Sequence, residues 1–235
     1  MQDIQKLIQN LVIVIIGDKG GIGKTLLAYN LIFWLLQYEP ECELIDCDND
    51  QFSSADFACL RKEAGIYPNL PIINVPTQEL EKYLANSKKK AHIIEFGKSF
   101  GEDDKARRKA LEKAVKWGDI ILAPLPASPV DALAFGKFEE KLPVEIANKP
   151  AILIPNRVKS AKRLRMILNS VPQLQYFKIS ESFLSDRLCF QDSFLDNGRT
   201  IFEIKPKSDS DRDGIKEFNK LVEEIINTAA TFYEG

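Results

Sequence analysis

Short, almost wholly apolar runs alternate along the chain with longer amphipathic stretches. Residues 11–16 (LVIVII) are apolar without a break, a run of strand length that suits a strand covered on both faces, as in a parallel sheet. Residues 42–48 (CELIDCD), 72–75, 91–96 (AHIIEF), 119–125 (DIILAPL), 151–154 and 175–179 repeat that type. Helical patterns fall between them. Residues 25–38 are apolar on most faces, 55–63 follow Ser53 or Ser54 as cap, and 77–84 open on Thr77 as cap. Further helices are expected at 105–117, from Val130, at 160–169 and at 213–230, the last with Ile215, Phe218, Leu221, Val222, Ile225 and Ile226 on one side. Ile4, Leu7 and Ile8 have helical spacing ahead of the first strand. Alternating strands and helices predict an α/β fold, a mainly parallel twisted sheet with helices on both faces, as one domain over residues 1–235.

The first strand runs straight into a glycine-rich turn, and the stretch 11–25 reads LVIVIIGDKGGIGKT. Gly20, Gly21 and Gly23, with Ile22 between them, lack the Cβ atoms that would hold a phosphate off the backbone, so successive N–H groups can curl around an anion. Lys24 adds a point charge for the β- and γ-phosphates, Thr25 offers a hydroxyl to Mg²⁺, and the helix continuing through Leu26 points its positive end at the same place. The strict P-loop spacing G-x-x-x-x-G-K-[ST] would need glycine where this chain has Asp18. The form present is K-G-G-x-G-K-T, with a second lysine, Lys19, ahead of the glycines.

In this form the chain resembles the ParA/MinD family of deviant P-loop ATPases, nearest the small plasmid-partition members. The resemblance implies ATP and Mg²⁺ as ligands, and a Lys19 that crosses a dimer interface to neutralise charge on the partner's transferring phosphoryl group. It implies that Asp48 orients or deprotonates the attacking water while Asp46 supports the metal, the two being spaced by one residue at a strand end. A solvated acidic turn is the alternative. The acid at the end of the 91–96 strand is Glu95, where the family usually has Asp, and its extra methylene suits an outer-shell metal contact better than direct coordination. His92, the one histidine, reads as structural. The passage WGDIILAPLPASPVD (117–131) is similar to a family segment that lies at the dimer surface. Asn156 and Arg157 follow the 151–154 strand and by resemblance contact adenine, with a strand-capping asparagine as the other reading. Residues 182–194, with Arg187, resemble the family's segment after the sixth strand, and 198–205 with Pro206 resemble the loop that closes over adenine.

Charge and cysteine content narrow the picture. Net charge is −2, so the whole molecule exerts no global pull on nucleic acid. From Ile146 to Ser180, however, there is no acid and there are seven bases: Lys149, Arg157, Lys159, Lys162, Arg163, Arg165 and Lys178. A helix at 160–169 puts Lys159, Lys162 and Arg163 along one side with Arg165 at the edge, and turns Leu164, Ile167 and Leu168 inward. That face reads as a surface for non-specific DNA, as ParA-type proteins use when dimeric, or as a solvated helix face. Lys88, Lys89 and Lys90 read as a solvated approach to a strand. Four cysteines form no C-x-x-C pair, as in a reducing compartment, and the last helix is too acidic to grip anionic lipid.

The expectation is therefore a cytoplasmic, nucleoid-associated partition ATPase. It dimerises on ATP, holds DNA, and is released by hydrolysis that a centromere-binding ParB-type partner stimulates. The alternatives are an ATP-switched cargo-positioning or scaffold protein with weak or no hydrolysis, and a metabolic or metallocentre ATPase of the same superfamily.

Overall fold

A computed structural model of the chain describes residues 8, 10–47, 53–97 and 105–234, and of residues 53, 106, 107 and 234 the backbone alone. Among the described residues eight strands form one sheet: β1 (Val12–Ile15), β2 (Cys42–Asp46), β3 (Ile72–Asn74), β4 (Ala91–Glu95), β5 (Ile120–Pro126), β6 (Ala151–Val158), β7 (Lys178–Ile179) and β8 (Leu184–Ser185). Their order is β3-β2-β4-β1-β5-β6-β7, with β8 also on β6, and every pairing is parallel. The helices are α1 (Lys24–Leu36), α2 (Ser53–Glu63), α3 (Leu80–Asn86), α4 (Lys105–Trp117), α5 (Pro129–Glu139), α6 (Ala161–Ser170), α7 (Leu188–Leu195) and α8 (Asp209–Glu234).

The two-residue period of a strand divides the apolar run between two cores. Ile13 and Ile15 pack with Leu27, Leu31 and Leu35 of α1 and with Phe218, Leu221 and Ile225 of α8. Val12, Val14 and Ile16 pack on the other face with Leu111 and Val115 of α4 and Phe135 and Phe138 of α5. A strand covered on both sides has no polar face to offer, which is why the run is unbroken. β1 sits between β4 and β5 in the middle of the sheet, and in such sheets ligands lie at the carboxyl ends of the strands, where the connections part to either side.

Several local expectations are corrected. Thr77 caps nothing: Pro76 holds the cap position of a 3₁₀ turn (Thr77–Glu79) that leads into α3, and Thr77 itself is buried. α6 does start as expected, with Ser160 accepting a hydrogen bond from the Arg163 N–H at 3.2 Å. Leu168 is not turned inward but is 38% exposed, because the buried stripe of α6 is narrow and centred on Ile167, one residue and about 100° away. β6 continues through Asn156 and Arg157 rather than ending before them, and β8 was not anticipated. α8 begins at Asp209, where Asp211 accepts from the N–H groups of Lys207 and Ser208 at 2.8 and 3.0 Å. Ile4 and Leu7 of the expected first helix lie outside the described residues, whereas Ile8 is buried in the α1 core.

Candidate functional site

The turn after β1 is shaped by Gly23, which caps α1 in the left-handed region at φ 102°. A Cβ there would come within 2.1 Å of Asn156 Nδ2, so a side chain is excluded twice over, by backbone strain and by contact. Asn156 is buried beneath the turn. Its Nδ2 donates to the Ile22 carbonyl at 2.8 Å and its Oδ1 accepts from the Arg157 N–H at 2.9 Å. Asn156 thus braces the loop from β6. Lys24 is buried and its ammonium donates to the Lys19 carbonyl at 3.0 Å, tying the two ends of the turn together. The positive end of α1 faces the same space, which Lys24, Thr25 and Leu26 of its first turn line.

Opposite the start of α1 stands an acid. The Thr25 hydroxyl donates to Glu95 Oε1 at 2.6 Å, and the Ser54 hydroxyl, from α2, donates to Oε2 at 2.8 Å. Asp46 is the register partner of Glu95 on the neighbouring strand, so the two buried carboxylates share one face of the sheet. They also raise the pKa of the Cys47 thiol, adding to the larger effect of its burial. Thr25, Asp46 and Glu95 are hard oxygen donors of the kind Mg²⁺ takes. A hydroxyl whose proton rests on Glu95 keeps its lone pairs for a cation, so these residues fit the metal. Among the described residues no three His, Cys, Asp or Glu side chains cluster as a further metal site. Asp48 lies outside the described residues.

A cavity of about 260 Å³ opens beside the loop. Gly20, Gly21, Gly23, Lys24, Thr25 and Leu26 form one wall, and Glu95 and Arg157 also face it. Arg157 gets there through a bulge: φ is +56° and the β6–β8 register slips between Asn156 and Val158, a distortion that re-aims one side chain of a strand. The rest of the wall was not foreseen. It consists of Phe57 from α2 and Phe190, Gln191 and Phe194 from α7, with the Phe57 and Phe194 rings 4.5 Å apart. Ile22, Asn156 and Pro206 lie outside the lining, as does Lys19. Lys19 instead makes an ion pair with Asp131 on the first turn of α5 at 2.8 Å, the lysine 45% exposed, and this bond holds its ammonium above the usual pKa.

The loop before α8 is fastened to α1 and α2. Gly198, at φ +68°, presses so close to α2 that a Cβ would sit 2.2 Å from the Phe57 carbonyl oxygen. Tyr29 donates to the Gly198 carbonyl at 2.8 Å, and Ile201 N–H donates to Asn30 Oδ1 at 2.8 Å. Buried Arg61 forks onto both oxygens of Glu203 at 2.6 Å. His92 stands at the other end of the sheet beside Glu43, in a structural position.

The basic island is dispersed. Lys149 donates to the Lys116 carbonyl, Arg157 faces the cavity, and Lys159 lies 3.7 Å from Asp186. Lys162, Arg163 and Arg165 remain together on α6, exposed and without an ion pair among the described residues. No described helix is long and apolar enough to cross a membrane.

Comparison with known proteins agrees with this geometry. Residues 13–199 match the model of the CobQ/CobB/MinD/ParA nucleotide binding domain. No curated protein matches the chain. Among solved structures, a protein from Borrelia burgdorferi B31 assigned to plasmid partition, with AMPPNP bound, is similar at TM-score 0.64 and 17% identity, over 92% of this chain and 99% of that one. A McdA variant of Cyanothece with ATP gives 0.60 and 15%, over 94% and 96%. The septum site-determining protein MinD of Pyrococcus horikoshii OT3 with Mg-ADP gives 0.61 and 15%, over 90% and 95%. Matched over most of its length, the chain belongs to the CobQ/CobB/MinD/ParA nucleotide-binding family.

Proposed function

We propose that the chain is an ATPase of the partition or positioning kind, which closes as a homodimer on ATP and Mg²⁺, holds non-specific DNA in that state, and is released when a ParB-type partner stimulates hydrolysis. The observation that carries this reading is the cavity itself. The glycine-rich turn, Lys24 and the Thr25–Glu95 pair all line it at the carboxyl end of the central strand. Lys24 exchanges the Lys19 carbonyl for phosphate oxygens, and the amides of residues 20–26 take up the remaining charge. Mg²⁺, when bound, supplies charge neutralisation on those oxygens. Thr25, Asp46 and Glu95 would be the residues that hold it. We assign the attacking water to Asp48, which takes its proton as the new O–Pγ bond forms and the bond to the β-phosphate oxygen breaks.

The α5 surface supports the dimer. Val130 is 71% exposed and Leu133 59%, on either side of the Asp131 that holds Lys19. Apolar side chains around a charge reserved for a partner suit a face that a second copy covers. Doubling the Lys162, Arg163 and Arg165 face across a two-fold axis multiplies its phosphate contacts, so DNA affinity follows the nucleotide state.

Calorimetry with ATP and Mg²⁺ tests the site: Lys24→Ala abolishes binding, and unchanged affinity overturns the assignment. DNA binding lost in a Lys162→Glu, Arg163→Glu variant supports the α6 face, and retained binding removes it. One observation favours a second reading, a switch that scarcely hydrolyses: both oxygens of Glu95 are already held by hydroxyls. No turnover with DNA or partner, restored by Glu95→Asp, decides for the switch.

A further inference from the structure

One edge of the sheet carries a groove that neither the loop nor the α6 face accounts for. β3 ends the strand order, and among the described residues no strand pairs with its outer side. Leu44 N–H donates to the Pro71 carbonyl at 2.8 Å, and Val75 N–H donates to the Asp46 carbonyl at 3.1 Å. Main-chain groups alternate in direction along a strand, so these bonds turn Ile73 toward β2 and Asn74 outward, with a donor and an acceptor at the edge. Beside that edge a groove of about 820 Å³ lies between β3 and α3. Ile73, Val75 and Pro76 give it an apolar side, faced by Lys82 and Tyr83 of α3. α3 is about 10 Å long, the length of three or four residues of extended chain.

The charge on the rim is one-sided. Lys82, Lys88 and Lys89 are exposed and make no ion pair among the described residues, whereas Lys90 next to them is paired with Glu41 at 2.6 Å. Glu79 is the one exposed acid among the described residues of the lining. Glu43, the other acid, is 3% exposed, and its oxygens accept from the hydroxyls of Tyr83 and Ser87 at 2.7 and 2.9 Å. We propose that this groove receives an extended acidic segment of a partner protein. The segment lies along β3 as an added strand, bonds to the Asn74 main chain, covers Ile73 and Val75 with apolar side chains and meets the three lysines with carboxylates. Main-chain pairing is open to any extended chain, and the three ammoniums restrict it to an acidic one. A nucleic-acid backbone also matches lysines, but it brings no apolar side chains for Ile73 and Val75 and no N–H and C=O spaced to pair with a strand. None of these residues lines the triphosphate cavity, so the segment needs no bound nucleotide.

The test is fluorescence anisotropy of a labelled eight-residue peptide, Glu-Glu-Val-Val twice over, titrated with the full chain. Its repeat puts both residue types on each face of an extended strand. It binds with a dissociation constant below about 1 mM, and its affinity falls as salt is raised. A Lys82→Glu, Lys88→Glu, Lys89→Glu variant binds it at least about tenfold more weakly and keeps the wild-type melting temperature, since all three lysines are exposed. Methylation of every second backbone nitrogen of the peptide weakens binding at least about fivefold in one of the two phases, by loss of a main-chain donor. No binding of the acidic peptide, equal binding by the triple variant, or equal binding of a Lys-Lys-Val-Val repeat overturns the proposal. Unchanged binding of both methylated peptides overturns the added strand. An unbound peptide together with duplex DNA binding that the triple variant loses assigns the lysines to nucleic acid and overturns the proposal as well.

Discussion

Replacing Arg61 by methionine tests how the loop before α8 is held. The guanidinium is wholly buried and makes four contacts: Nη1 and Nη2 to the two oxygens of Glu203 at 2.6 Å, Nε to the Pro68 carbonyl at 2.7 Å, and Nη1 to the Gly198 carbonyl at 3.5 Å. Glu203, 11% exposed, also accepts from the Thr200 N–H and hydroxyl at 2.9 Å. Methionine keeps much of the volume and removes the charge, leaving a carboxylate out of water with only Thr200 to satisfy it. Breaking a buried pair from one side costs about 3–5 kcal/mol. In a chain of this size each kcal/mol moves the melting temperature by about 2–4 °C, so Arg61→Met melts about 6–20 °C lower. Arg61→Met with Glu203→Leu removes both charges and recovers most of the loss, since an apolar pair of similar volume is often no worse than a buried ion pair. Urea and thermal unfolding followed by circular dichroism read both effects. A single variant losing less than about 1 kcal/mol, the range of exposed pairs, refutes the assignment of a desolvated clamp.

Asp131→Ala frees the Lys19 ammonium. Monomer stability changes by under about 1 kcal/mol, as for an exposed pair, and the ATP-dependent dimer gains up to about fivefold in association constant by light scattering; an unchanged dimer fraction denies that the contact holds Lys19 back. Gly23→Ala places a methyl against Asn156 in a left-handed backbone, so ATP affinity is lost while the circular dichroism spectrum is kept. Wild-type affinity in that variant shows that the cap geometry is not required. Burial pushes the Glu43 carboxyl up, but hydrogen bonds from His92, Tyr83 and Ser87 outweigh it and hold it below its ordinary 4.5. The stability it confers is full above that ordinary value and is lost as pH falls through the lower folded one. Tyr83→Phe removes the 2.7 Å bond to Glu43 and moves the acid-unfolding midpoint to higher pH. A midpoint that stays put shows Tyr83 contributes nothing to the depression.

The sheet and its central turn were legible because their signals are local. An unbroken apolar run is what a strand covered on both faces requires, and three glycines in four residues have few other uses before a lysine and a threonine. Glu95 could be placed for the same reason, since strand alternation fixes the side on which an end residue points. Phe57, Phe190, Gln191 and Phe194, and Ser54 behind Glu95, carry no such mark. They come to the site only because α2 and α7, far apart in sequence, fold against one helix, and a serine or a phenylalanine on an amphipathic helix is indistinguishable from ordinary packing.

Asn156 lies between these cases, and its position bears on the site as a whole. The sequence offers it two uses, a base contact or a strand-end bond, and in the structure its amide is turned to a backbone group. A loop whose amides turn toward an anion sends some carbonyls the other way, into the protein, where each needs a donor. The Ile22 carbonyl is one such group, and Asn156 is the side chain that reaches it. The same requirement explains why Gly23 can carry no side chain, because the amide occupies that space. The loop's rigidity is therefore met from β6, by a side chain far in sequence from the glycines it braces.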